Sequence, residues 1–166
     1  MPEISTLGWF HTALGIAALA SGAYTLYNYR EITLERRSGV IYLVATLVTA
    51  ATALAIYQRG EFGPGHVLAV LTLLALAVGA VADKTAMFGR FSRYLRAIAY
   101  TGTLLFHSIP AVTDGLMRLP VGDPVVSEIG DPLLRACYLV LLAAYLIGVT
   151  LQLRWIRRQT ATAGIL

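Results

Sequence analysis

Five stretches of the chain are apolar almost without interruption: roughly Leu7–Tyr29, Gly39–Gln58, Gly63–Ala82, Leu95–Met117 and Pro132–Trp155. A helix rises 1.5 Å per residue, so about 20 apolar residues cross a hydrocarbon slab about 30 Å thick. The runs are continuous rather than alternating, which predicts helices and not the strands of a membrane barrel. The expected architecture is all-α: one transmembrane domain, residues 1–166, built as a bundle of five transmembrane helices. The connections are short except for residues 118–131, RLPVGDPVVSEIGD, a loop with two prolines and two glycines that is the segment long enough to act as a lid.

Composition agrees with this pattern. Hydrophobic residues make up 57% of the 166 and charged residues 13%, with a mean hydropathy of +0.69, whereas a soluble domain is about 25% charged. That excludes an ordinary cytosolic enzyme. The net charge of +4 belongs to no basic run interleaved with aromatics, so it points to membrane topology rather than to nucleic acid. With the amino terminus outside, ten of the thirteen basic residues fall on the inner side (Arg30, Arg36, Arg37, Lys84, Arg90, Arg93, Arg96, Arg154, Arg157 and Arg158), and Arg59, Arg118 and Arg135 remain outside. This excess predicts an N-out, C-in, multi-pass protein of the bacterial inner membrane, with Trp9 and Trp155 at the two interfaces. The first eleven residues lack the cationic stretch of a secretory signal, so the first apolar segment is expected to be retained. The single cysteine, Cys137, excludes an internal disulfide, a CxxC pair and a thiolate-rich zinc site.

Against so apolar a background the few ionisable residues inside the runs carry the functional signal, because an unpaired charge at the centre of a span costs about 2.5 to 3.5 kcal/mol. His11, His66 and His107 all fall in the outer half of their segments. Stepping by three or four from His11 gives Gly15, Ala18, Gly22 and Thr25, a small-residue stripe that admits a neighbouring helix or the same stripe of a second copy. On the fourth segment the same stepping gives Tyr100, Thr103, His107, Ala111 and Asp114, while the second offers Tyr42, Thr46 and Thr49. Pro110 removes a backbone donor and frees the Phe106 carbonyl beside His107, which predicts a kink there. Helices 1, 3 and 4 are expected to be mutually adjacent, so that His11, His66 and His107 converge as ligands, with Asp114 either a further ligand or paired with Arg118 one turn on. The alternative is that each histidine sits near an interface or hydrogen-bonds across helices. Cys137 reads as a small buried hydrophobe.

The stretches HTALGIAALASGAY, RRSGVIYLVA, EFGPGHVLAVLTL and TLLFHSIPAVTDGLMRLPVGDP resemble a family of bacterial polytopic membrane proteins known only as a domain of unknown function. Its HxxxG, GPxH and HxIPxxT[DE]xxxRLP patterns fall here on His11, on His66, and on His107, Asp114 and Arg118. The resemblance covers helices 1 to 4. Family members carry a histidine before the glycine of helix 2, where this chain has Arg37 and Ser38, so it implies no ligand there. It carries over no reaction.

Three functions compete on these grounds. The first is a membrane protein holding haem b or a transition metal (zinc, copper or iron) between His11, His66 and His107, for electron transfer or metal handling. The second is a non-catalytic transporter or accessory subunit with structural histidines, working in the lipid bilayer as a homo-oligomer through its small-residue faces. The third is a zinc-dependent membrane hydrolase with the outer loop over its site.

Overall fold

The structure is a computed structural model that describes residues 4–57, 62–85 and 87–163. The chain termini and Arg59, which enter the topology count, and Gln58, the expected end of the second helix, lie outside the described residues. Five α-helices follow one another: α1 Thr6–Tyr29, α2 Arg37–Ala53, α3 Pro64–Lys84, α4 Ser92–Arg118 and α5 Pro132–Ala163, with one 3-10 turn, Gly89–Phe91, before α4 and no strand among the described residues. The all-α expectation holds. Of the helices, α3 and α5 are long and apolar enough to cross a membrane, and α2 is apolar but 17 residues long.

Helix ends follow local chemistry. Ser5 caps α1, its hydroxyl accepting from the Gly8 N–H at 3.1 Å. Pro64, lacking an N–H, opens α3, where no donor is needed. α2 stops at Ala53 because the next residues tighten into 3-10 bonds, Ala55 N–H to the Thr52 carbonyl at 3.0 Å and Ile56 N–H to that of Ala53 at 3.2 Å. α5 runs eight residues beyond Trp155. The apolar run ends there, but Arg and Gln propagate a helix readily.

The helices pack as an up-and-down series, α1 on α2, α2 on α3, α3 on α4 and α4 on α5, and α4 turns back to touch α1. This corrects the expected adjacency of α1, α3 and α4: α1 and α3 are not a packed pair, because short connections make sequence neighbours into space neighbours. Two tyrosines fill the centre. Tyr42 lies against Gly22, where an added Cβ would sit 2.7 Å from its ring and 2.8 Å from Leu104, so the bare glycine lets α1 meet α2 and α4 together. Tyr100 lies against Gly79 in the same way, with 2.2 Å to the ring. The small-residue stripe of α1 is thus used within the bundle.

Polar side chains share the interior with the apolar core, and many large apolar side chains face outward. Thr25, Glu31, Thr46, Thr49, Thr72, Thr103, His107 and Gln152 are buried, while Ile16, Ile41, Val44, Leu47, Leu74, Leu139, Val140, Leu146 and Ile147 are exposed on the outside. The long loop does not stand free. Val126 is buried with Met117 and Leu134, its N–H donates to the Leu116 carbonyl at 3.1 Å, and Asp131 accepts from the Leu133 N–H to start α5. It is pinned between α4 and α5.

Candidate functional site

Thr52, in the last turn of α2, faces His11 of α1. Its hydroxyl donates back to its own helix, to the carbonyls of Val48 and Thr49 at 2.9 and 3.0 Å. A hydroxyl has one proton, so its contact with His11 Nδ1 at 3.1 Å leaves it accepting and the imidazole donating. With the Thr52 proton on a carbonyl, His11 is the Nδ1–H tautomer and Nε2 carries the lone pair. A ring nitrogen bonded by a fixed acceptor with the other left basic is the arrangement seen behind histidine ligands of metals.

His107 of α4 is buried, and its Nε2 has no hydrogen-bond partner among the described residues. The two imidazoles are near enough for the charge of one to act on the other, and His11 lies within the same reach of Asp114. Asp114 itself is about half exposed and pairs with Arg118 one turn along at 3.6 Å, as the spacing anticipated. Helical threonines elsewhere, such as Thr25, Thr72 and Thr113, return their hydroxyls to their own helix. Thr46 and Thr49 do not: both hydroxyls are buried on α2 without a partner among the described residues. His107, Thr46 and Thr49 thus leave three unsatisfied polar atoms in the region where α1, α2 and α4 meet. Buried polar groups are rarely left so, and water or an ion is the usual explanation.

His66 stands apart. Its Nδ1 accepts from the Gly63 N–H at 3.1 Å, closing the first turn of α3, and its ring packs against Tyr57 and Phe62 at 4.6 and 5.0 Å between centroids. With Nδ1 accepting, a neutral ring carries its proton on Nε2, which is buried without a hydrogen-bond partner among the described residues. The GPxH spacing is a helix cap. Accordingly, no group of three His, Cys, Asp or Glu side chains able to hold a metal occurs among the described residues. Cys137 is half-buried and free. Along the α1 stripe, Gly15 packs towards Thr49 and Gly22 against Tyr42 and Leu104.

At the opposite end the helices enclose an ion cluster that sequence reasoning missed. Glu31, in the α1–α2 connection, is buried and takes both Nε and Nη2 of Arg93 and, at 3.1 Å, Nη2 of Arg96. Arg96 also pairs with Asp83 of α3, and Arg93 donates to Gln159 of α5 at 2.9 Å. Counting basic residues for orientation treats Arg93 and Arg96 as free charges. The signal available was that Glu31 and Asp83 each lie at a helix end on the same side as these arginines.

No protein-family model, no curated protein and no solved structure matches the chain.

Proposed function

We propose that the protein is a five-span integral membrane protein, N-out and C-in in a bacterial inner membrane, which binds one transition-metal ion between His11 and His107 near its outer face. Membership of the polytopic family that its motifs resemble is part of the same proposal. Support for the membrane reading comes from the exposed apolar faces of α1, α2, α3 and α5 combined with threonines, histidines and paired charges buried inside. In water this arrangement would be costly, and in lipid it is the economical one.

The observation that carries the metal reading is the pair of available nitrogens: a basic His11 Nε2 oriented by Thr52, and a buried His107 Nε2 without a partner. Imidazole pairs suit copper and zinc, with Asp114 or water completing the coordination. The role that follows is to hold or hand on a metal ion rather than to catalyse a reaction. The test is metal content per chain, by mass spectrometry on protein purified in mild detergent, with an absorbance spectrum alongside. A stoichiometric metal that is lost in His11→Ala and His107→Ala but kept in His66→Ala is expected. Metal-free protein, or metal retained by both variants, defeats the reading.

A further inference from the structure

We infer that the groove between α1 and α5, at the end of the bundle holding the ion cluster, binds the phosphate of an anionic phospholipid. The inference rests on the membrane reading above and assigns a ligand to a second site. α1 and α5 are not a packed pair, and α4 forms the floor between them, leaving a half-open groove of about 550 Å³, within the usual range of ligand sites.

Its lining divides along its length. Leu26 of α1 and Gly148 and Leu151 of α5 make an apolar strip, and Arg30, Arg154 and Arg158 surround the other end. From Gly148 to Arg158 is about 15 Å of helix, so the cationic rim and the apolar strip are offset along the bundle axis, as a headgroup and the start of its acyl chains are. An inorganic anion would use the arginines and leave the strip idle. The occupant that matches both halves is a lipid with a phosphate, on the side where basic pockets between helices take anionic headgroups.

Charge and backbone support the assignment independently. The acidic groups nearby, Glu31 and Asp83, are committed to Arg93 and Arg96, and neither Arg30 nor Arg154 has an acidic partner among the described residues. Arg30 also closes α1 in the left-handed conformation, φ +62°, where glycine is the easy choice. Gln152 holds it there, its amide donating to the Arg30 carbonyl at 2.6 Å while its oxygen accepts from Thr101. The guanidinium lies 5.9 Å from the centre of the Trp155 ring. An arginine kept where its backbone is strained implies a use for the side chain.

The full chain in detergent is titrated with phosphatidylglycerol, phosphatidylcholine or inorganic phosphate, and retained lipid is read by native mass spectrometry beside melting temperature. Phosphatidylglycerol should be retained at least tenfold better than phosphatidylcholine and should raise the melting temperature, and inorganic phosphate should do neither. Arg30→Gly should abolish this preference without lowering the melting temperature in phosphatidylcholine, since it relieves the left-handed strain. Arg154→Gln should weaken the preference, and Arg37→Gln, outside the groove, should leave it unchanged. Equal retention of both lipids, or a preference surviving in Arg30→Gly and Arg154→Gln, overturns the inference, and equal stabilisation by inorganic phosphate assigns the site to a free anion instead. Alkaline carbonate extraction of membranes separates the two failures: release into the soluble fraction defeats the membrane reading itself, whereas membrane-retained protein without lipid preference defeats the groove alone.

Discussion

Thr52→Val preserves the branched shape of the side chain and removes one oxygen. That oxygen donates to the Val48 and Thr49 carbonyls and accepts from His11 Nδ1 at 3.1 Å. The carbonyls stay in the α2 backbone ladder after the change, so the group that loses a partner is the half-buried His11 ring, which keeps the Thr49 backbone beside it. One net hydrogen bond is at stake, and the expected loss of stability is about 1 kcal/mol. The effect on metal is expected to be larger. Without its acceptor the ring is free to rotate or change tautomer, and removal of a partner behind a histidine ligand typically costs 10- to 100-fold in affinity, about 1.4 to 2.7 kcal/mol. Competition with a chromophoric chelator measures the affinity, and a thermal melt of the metal-free protein measures the fold. A lowered melting point with unchanged affinity would refute the reasoning: Thr52 would then be a contact between α1 and α2, and His11 would not bind through Nε2.

His66→Ala should cost about 1 kcal/mol through the lost cap of α3 while metal content stays unchanged, which metal analysis and thermal melting check together. Gly79→Ala puts a methyl 2.2 Å from the Tyr100 ring and should destabilise by about 1–3 kcal/mol, seen as a lower melting temperature in detergent. Glu31→Gln leaves two arginines facing a neutral group; breaking a buried pair costs about 3–5 kcal/mol, and since Arg93 is a third open to solvent the low end, about 3 kcal/mol, is expected by the same melt. A carboxy-terminal reporter that is active only after export should stay inactive, and strong activity would mean either an even number of spans or an inverted, N-in orientation.

How far the sequence disclosed the structure depended on what each signal reports. Uninterrupted apolar runs located all five helices, because a helix is the way to bury the backbone of such a run. They marked the ends less well. Hydropathy reports the preferred solvent of a segment, and α5 continues through Arg157, Arg158 and Gln159, where the solvent changes and the helix does not. The polar stripes of α2 and α4 were legible as inward faces, since spacing alone aligns Tyr42 with Thr46 and Tyr100 with Thr103 and His107. Which histidines share a site was not, because depth and facing leave open which helices are neighbours. His66 illustrates a second gap: its position three residues after Gly63 marks a helix start, yet its role turns on which ring nitrogen receives the Gly63 N–H, and that is visible only in three dimensions.

The packing of the two central tyrosines bears on whether the bundle holds an ion or passes one through. Thr103 donates its hydroxyl proton to the Tyr100 carbonyl at 2.7 Å, so the short contact between Thr103 and Tyr42 has Tyr42 donating. The Thr103 and Tyr42 protons are thereby committed within this layer. Ala18, Thr25, Tyr42, Thr46, Tyr100 and Thr103 are at most 2% exposed, and Gly22 and Gly79 bring the backbones of α1 and α3 directly onto the tyrosine rings. Thr49 and the His107 nitrogen, unsatisfied among the described residues, lie one helical turn beyond Thr46 and Thr103 of this layer, and the paired charges of Glu31, Asp83, Arg93 and Arg96 lie towards its other side. An ion at His11 and His107 would therefore enter and leave by the end where α1 begins, without a hydrated path to the arginine end. Under the proposed function, this arrangement is the one expected for storage or delivery on one face of the membrane rather than transport across it.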